Sequence, residues 1–334
     1  GASRTIYAMD TVMTLTIYED SKAEESLSLA EQTIHTLDAL LSRTNESSEI
    51  YALNHGETVA LSEQTRALLE KALLISQCTN GAFDPTIAPI MDAWGFGGSS
   101  YRVPSQEELH QLMQHLGTAQ ALSALHNSPL TLATAPYVTE TEQGVSLASG
   151  FELDLGGIAK GFAADELRSL LTQRGVTHAT IDLGGDICTI GAKPDGSLWR
   201  IAIKDPADSA NFLGILCTKD NFIVTSGIYE RFFEEDGVFY HHIIDPATGY
   251  PADSGLISVT AVCPLSGTWA DALSTACFIL GVDDSLSLRE HLADTVPLEL
   301  IFLTDDGRVL YTDGLTETFD YSSTKGTYSY EVLS

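Results

Sequence analysis

The sequence predicts an α+β protein: a mixed sheet with helices packed on it, in one domain spanning residues 5–334. Three observations point there. Strand-like and helix-like segments intermix without the regular alternation that a doubly wound fold requires. Hydrophobic residues make up 44% of the 334 positions against 19% charged, enough for a sizeable core. No linker-like stretch is long enough to mark a domain boundary.

Each element follows from its own pattern. Residues 5–18 (TIYAMDTVMTLTIY) are rich in Thr, Val and Ile and read as a strand. Over residues 22–41, Ala23, Leu27, Ala30, Ile34, Leu37 and Leu41 fall on one helical stripe. Ser62 can cap a helix running to about Gln77, and Ser105 one through Leu116. Between them, GAFDPTIAPIMDAWGFGG is too apolar for a solvated loop and too broken for a long helix. Short strands are expected within 130–153. FELDLGG (151–157) looks like a strand ending at two glycines, and IAKGFAADELRSLLTQRG (158–175) a helix with Ile158, Phe162, Leu167, Leu170 and Leu171 inward. HATIDLGGDICTIG (178–191) again reads as a strand, so DLGG occurs twice, at Asp154 and Asp182, each time closing an apolar run. Strands dominate 198–262. A helix at 268–281 follows, and the tail forms a hairpin around Asp305, Asp306 and Gly307.

Charge narrows the function. There are 46 acidic residues against 17 basic, a net charge of −29. Such a surface repels nucleic acid and anionic lipid, because phosphate binding runs on Lys and Arg. A phosphate-bearing ligand would need a local cation, a placed lysine or a metal. The five cysteines are widely spaced, with no Cys-x-x-Cys, so disulfide scaffolding and zinc are poorly supported. No apolar run has the length of a membrane span.

Four constellations can carry chemistry. DLGGIAKG offers free backbone N–H groups at a helix start, with Lys160 in the first turn and Gly156 and Gly157 allowing close approach; it equally describes an ordinary turn with a surface lysine. In ADALSTA, Asp271 and Thr275 lie four apart on one helix face with Ser274 beside them. That is hard-oxygen chemistry suited to Mg2+, or a buried Asp bonded within its helix. In HHIIDPATGYP, His241 and His242 point to opposite sides if the segment is a strand, and Asp245 precedes a tight turn. One histidine can serve as a base near neutrality, or both can be structural. In GAFDPTIAPIMDAWGFG, Phe83, Trp94 and Phe96 offer flat surfaces near Asp84 and Thr86 that suit a ring system with polar edges, or pack a loop over the core.

Taken in order, MDT (9–11), LSRTNESSEIYALN (41–54), GAFDPTIAPIMDAWGFG (81–97), DLGGIAKGFAADEL (154–167), IDLGGDI (181–187), TSGIYERFF (225–233), HHIIDPATGYP (241–251) and ADALSTA (270–276) resemble the ApbE family of FAD:protein FMN transferases. The resemblance covers almost the whole chain. It implies a T-fold-like architecture and a Mg2+-dependent transfer of the FMN half of FAD to a threonine hydroxyl of a target protein, with release of AMP. It implies that Asp271, Ser274 and Thr275 gather the metal with the Gly157 carbonyl. Asp154 and Lys160 would hold the nucleotide, Met9, Ala82, Phe83 and Asp84 would line the FAD pocket, and Asp245 would lie near the cofactor. His242 is the candidate for taking the threonine proton.

The family also implies an exported protein, with membrane association only through a lipid anchor outside this sequence. Two positions depart from the family pattern. Asp10 stands where Gly is common in the first motif, and Thr44 where an aromatic often stacks on the cofactor. Two other functions share the same residues: a metal-dependent FAD pyrophosphatase giving FMN and AMP, and a non-catalytic FAD-binding protein.

Overall fold

The computed structural model describes residues 1–19, 21–98 and 100–334. The chain divides into two compact units, each assembled from segments interleaved along the sequence, which is why no linker announces them.

The first unit comprises Gly1–His35, Lys160–Tyr229 and Asp253–Ser334. Its centre is a nine-stranded sheet in the order Ala2–Ala8, Thr11–Ile17, Ala179–Asp182, Asp186–Ile190, Phe222–Gly227, Leu256–Cys263, Glu299–Thr304, Arg308–Thr312, Ser329–Leu333. All neighbours run antiparallel except the last pair, which is parallel, so the sheet is mixed as the sequence predicts. Side chains alternate across it. On one face Ile223, Val262, Ile301, Leu303 and Val309 form a core with Ile203, Leu213, Leu216 and Phe319 of a three-stranded sheet. On the other face Phe222, Val224 and Ser226 look toward the helix Gly267–Leu280, which packs on strands Phe222–Gly227 and Leu256–Cys263.

The second unit comprises Thr36–Ala159 and Glu230–Ala252. It carries the helices Glu49–Asn54, Glu63–Cys78, Ala88–Trp94, Gln106–Met113 and Gly117–Leu125 and two hairpins, Val138–Thr141 with Gly144–Leu147 and Phe232–Glu235 with Val238–His241. Ser62 and Ser105 cap their helices as expected, each accepting a backbone N–H in the first turn. Trp94 is wholly buried in a cluster with Ile90, Phe96, Leu109 and Ile244, and its Nε1 donates to the Gly249 carbonyl at 2.8 Å. Among the described residues no helix is long and apolar enough to cross a membrane.

Several elements differ from the sequence reading. Residues 5–18 form a hairpin, not one strand. Met9 and Asp10 make the turn with φ of 48° and 58°, left-handed values that a non-glycine residue seldom adopts. The segment 178–191 is likewise a hairpin, turning at Gly184 and Gly185 with φ of 74° and 105°. The segment 151–157 is not a strand. The Asn54 amide takes both the Leu153 N–H and its carbonyl, and Asp154 N–H donates to the Pro85 carbonyl, so no ladder partner is left to recruit. The helix predicted to reach Leu116 ends at Met113, and a new helix starts at Gly117, whose N–H donates to Thr86 Oγ1 at 2.7 Å. A helix at Val282–Leu292 also follows the one ending at Leu280.

Candidate functional site

The most unusual chemistry of the first unit lies where two helices and the sheet meet. Asp186 opens the strand Asp186–Ile190 opposite Val224, so it shares the helix-facing side of the sheet with Val224 and Ser226. Asp271 is on the facing helix Gly267–Leu280, and Lys160 is in the first turn of the helix Ala159–Gln173. These three side chains gather in the interior. Lys160 Nζ lies 2.5 Å from Asp186 Oδ1, and the Gly161 N–H donates to Asp271 Oδ2 at 2.9 Å. Asp186 and Asp271 are only 2% and 4% exposed. Asp186 Oδ2 is buried, and among the described residues only the Asp271 carboxyl faces it as a possible donor. Burial first, then the neighbouring Asp186 carboxylate, pushes the Asp271 carboxyl well above its ordinary range; Lys160 and the Gly161 N–H oppose this without cancelling it.

The two helices come this close because both carry glycine at the crossing. A Cβ on Gly161 would lie 2.1 Å from the Gly267 carbonyl oxygen and 2.6 Å from Asp271 Cβ, and a Cβ on Gly267 would lie 2.6 Å from the Gly161 carbonyl oxygen. Asp165, one turn further along, locks the start of the second helix by accepting from Ser266 Oγ, Gly267 N, Thr268 N and Thr268 Oγ1. Alanine is the better helix former by about 1 kcal/mol, yet Gly161→Ala is expected to destabilise by about 1–3 kcal/mol through overpacking. Urea unfolding checks this; an unchanged or higher midpoint would show that the helices separate freely.

The hydroxyls expected near Asp271 are present. Ser274 Oγ donates to the Asp271 carbonyl at 2.8 Å and lies 2.6 Å from Ser226 Oγ, which is 3.4 Å from Thr275 Oγ1. Ser226 was not among the sequence-derived candidates, nor was Asp186. The set of two carboxyl groups and three hydroxyls is a hard-oxygen one, and among the described residues the buried Asp186 Oδ2 has no donor other than the facing Asp271 carboxyl. Both features fit a Mg2+-like cation. Among the described residues no three His, Cys, Asp or Glu side chains cluster, so such a cation would complete its shell with hydroxyl, carbonyl, water or phosphate oxygens. Met9 sits in the hairpin turn at the same end of the sheet. Its neighbour Thr11 touches the Gly184 turn, where a Cβ would come 2.2 Å from Thr11 Oγ1.

The second unit holds the remaining candidates. Asp154 accepts Gly156 N–H through Oδ1 at 2.8 Å and pairs through Oδ2 with Arg43 at 3.2 Å, while Arg43 also binds Asp92 at 2.8 Å. Gly157 follows in the turn leading to the helix at Ala159. Asp84, expected at the FAD pocket, is hydrogen-bonded within its own unit. Its Oδ1 accepts Thr86 N–H and Oγ1–H, and its Oδ2 accepts the Thr118 N–H, so this 5%-exposed carboxylate staples its own loop. Ala82, Phe83, Trp94 and Phe96 are buried too, so the aromatic faces pack against protein and offer no open flat surface.

The paired histidines separate cleanly. His241 ends the strand, buried; its Nε2 donates to the Ala252 carbonyl at 3.0 Å and its Nδ1 accepts the Ile243 N–H at 3.2 Å, which fixes a neutral tautomer. His242 lies just past the strand. Its Nδ1 is 3.2 Å from the Arg231 carbonyl, which accepts a proton but offers none. A neutral ring therefore carries its lone pair on Nε2, 3.7 Å from Glu230 Oε2. Asp245 Oδ1 accepts the Ala247 N–H, and the Asp245 carbonyl accepts from Thr248 and Gly249, so this residue builds the turn after His242.

A profile of the ApbE family matches residues 9–298. The chain is 33% identical over 330 residues to an FAD:protein FMN transferase of Treponema pallidum (strain Nichols), covering 94% of this chain and 88% of that one. It is 30% identical over 282 residues to the enzyme of that name from Escherichia coli (strain K12), covering 81% and 77%. Among solved structures, the ApbE protein of Thermotoga maritima superposes with a TM-score of 0.79 at 30% identity, covering 94% of this chain and 97% of that one. The flavin transferase ApbE of Vibrio cholerae does so at 0.75 and 27%, covering 91% and 95%.

Proposed function

The chain belongs to the ApbE family, and from that premise we propose that it moves the FMN moiety of FAD onto a threonine hydroxyl of a target protein, releasing AMP, with Mg2+ as the cation. The reading is supported by the names of its relatives and, within the chain, by one observation: a buried pair of facing carboxyl groups beside a lysine, in a protein of net charge −29.

Asp271, Ser274 and Thr275 hold the cation in this reading, with the Gly157 carbonyl and, added here, Asp186. Bound there, Mg2+ would neutralise diphosphate oxygens and stabilise the charge that develops as the phosphorus–oxygen bond breaks. Lys160 supplies a further positive charge for the nucleotide. Asp154, tied by Arg43, fixes the Gly156–Gly157 turn, whose N–H groups suit an anion. Met9 and the main chain of Ala82 and Phe83 border the flavin nucleotide, and Asp84 and Asp245 shape the loops around it. His242 Nε2 accepts the threonine proton as the threonine oxygen forms its bond to the FMN phosphorus. The bond from that phosphorus to the bridging oxygen breaks, and AMP carries that oxygen away.

Incubation with FAD, Mg2+ and a threonine-bearing target domain is expected to give a flavin-fluorescent target band that survives denaturation. A target left dark while another family member labels it would defeat the reading. AMP released at the same rate with no protein acceptor would make water the acceptor instead.

A further inference from the structure

The interior pair Asp186–Asp271 has an unexpected guest. Lys160, which the transfer reading assigns to the nucleotide, is bonded to Asp186. Its side chain is 26% exposed, whereas that of Asp186 is 3% exposed, so the ammonium enters the pair from the solvent side. Two ionised carboxylates against one ammonium would leave one negative charge uncompensated; burial and the Asp186 charge favour the protonated form of Asp271, which leaves Lys160 paired with Asp186. Lysine suits a role with two partners, being a compact charge on a flexible four-carbon stem with three rotatable donors.

We propose that Lys160 is the exchangeable counter-ion of the Asp186–Asp271 pair: it neutralises the pair when no cation is bound, and gives up Asp186 to meet the nucleotide phosphate once a divalent cation is. Asp186 is then a positioning residue that holds the phosphate-binding lysine in reserve. The inference rests on the cation reading above and adds an order of events. Without a divalent cation the ammonium is committed to Asp186 and is withheld from a diphosphate. With a divalent charge at the carboxylates, Lys160 is surplus there and is available to an anion at the start of its own helix.

The test follows the reactivity of the Lys160 amine in the full chain. Metal-free protein is modified briefly with acetic anhydride, with and without Mg2+ and without nucleotide, and Lys160 is compared with the exposed Lys219 by peptide mass spectrometry. Mg2+ alone is expected to raise Lys160 labelling severalfold, leave Lys219 unchanged, and lose its effect when ADP is added as a diphosphate probe. Equal or lower Lys160 labelling with Mg2+ would overturn the proposal. In Asp186→Asn, checked for a folded melting transition, Lys160 is expected to label fast without Mg2+ and to ignore it; protection as in the unsubstituted protein would equally overturn it. Calorimetric titration with Mg2+ separates the two levels of the account. Absence of binding overturns the cation site itself, whereas binding with Lys160 still protected overturns only the exchange.

Discussion

Asp271→Asn is expected to remove the metal-dependent activity while making the metal-free protein more stable. The loss is about 100-fold or more, because a charged metal ligand supplies several kcal/mol of transition-state stabilisation and each 1.4 kcal/mol is tenfold in rate. The gain has a definite sign. Burial and Asp186 raise the Asp271 carboxyl in the folded state, so the folded chain holds a proton that the unfolded chain releases near pH 4. Below that pH both states are protonated and the residue costs nothing. As pH rises above it, the unfolded state alone ionises and stability falls until the folded-state carboxyl also gives up its proton. Asparagine does not titrate, and its NH2 can donate to Asp186 at every pH, which the Asp271 carboxyl does only while it holds its proton. Its advantage of about 1–3 kcal/mol is therefore expected at neutral pH and not near pH 3–4. Urea melts at the two pH values check this, and added Mg2+ is expected to stabilise the parent protein but not the variant. Equal Mg2+ stabilisation of both would remove Asp271 from the ligand set.

His242→Ala is expected to lower transfer by about 10²–10⁴, the range of a lost general base, with FAD affinity and melting temperature little changed. His241→Ala is the control. That ring is buried and hydrogen-bonded through both nitrogens, so its removal is expected to cost about 1–3 kcal/mol of stability and to leave transfer per folded molecule intact. Steady-state kinetics with fluorescence titration of FAD separates the pair. If the two variants exchanged these phenotypes, the base would be His241 and the tautomer argument would fail.

Much of this was legible in the residues. Stripes at helical spacing and the serines at positions 62 and 105 set the helices correctly because those signals are local. The shared face of Asp271, Ser274 and Thr275 follows from helix geometry alone. Asp186 was hidden because 178–191 reads as one strand. Only the left-handed backbone at Gly184 and Gly185 reverses the chain and turns Asp186 onto the helix-facing side, and the two glycines after Asp182 were the signal that pointed to it. The Met9–Asp10 turn gave a weaker signal: aspartate is favoured at left-handed turn positions, but methionine is not and no glycine is present. The hydrogen bonding of Asp84 was hidden for a different reason. Its third donor, the Thr118 N–H, is 34 residues away in sequence, so nothing local reveals that the carboxylate is already satisfied. The role of Asn54 in holding Leu153 out of any strand is equally non-local, 99 residues apart.

The central claim is a divalent cation gripped by the buried carboxylates. Crystals of the metal-free protein soaked in Mn2+ and FAD and measured at the manganese absorption edge test it most directly. The account expects an anomalous peak within bonding distance of the Asp271 carboxylate and a nucleotide phosphate oxygen, with Lys160 turned away from Asp186. A peak bound elsewhere, or an Asp271 carboxylate without a metal beside a fully occupied nucleotide, would contradict it.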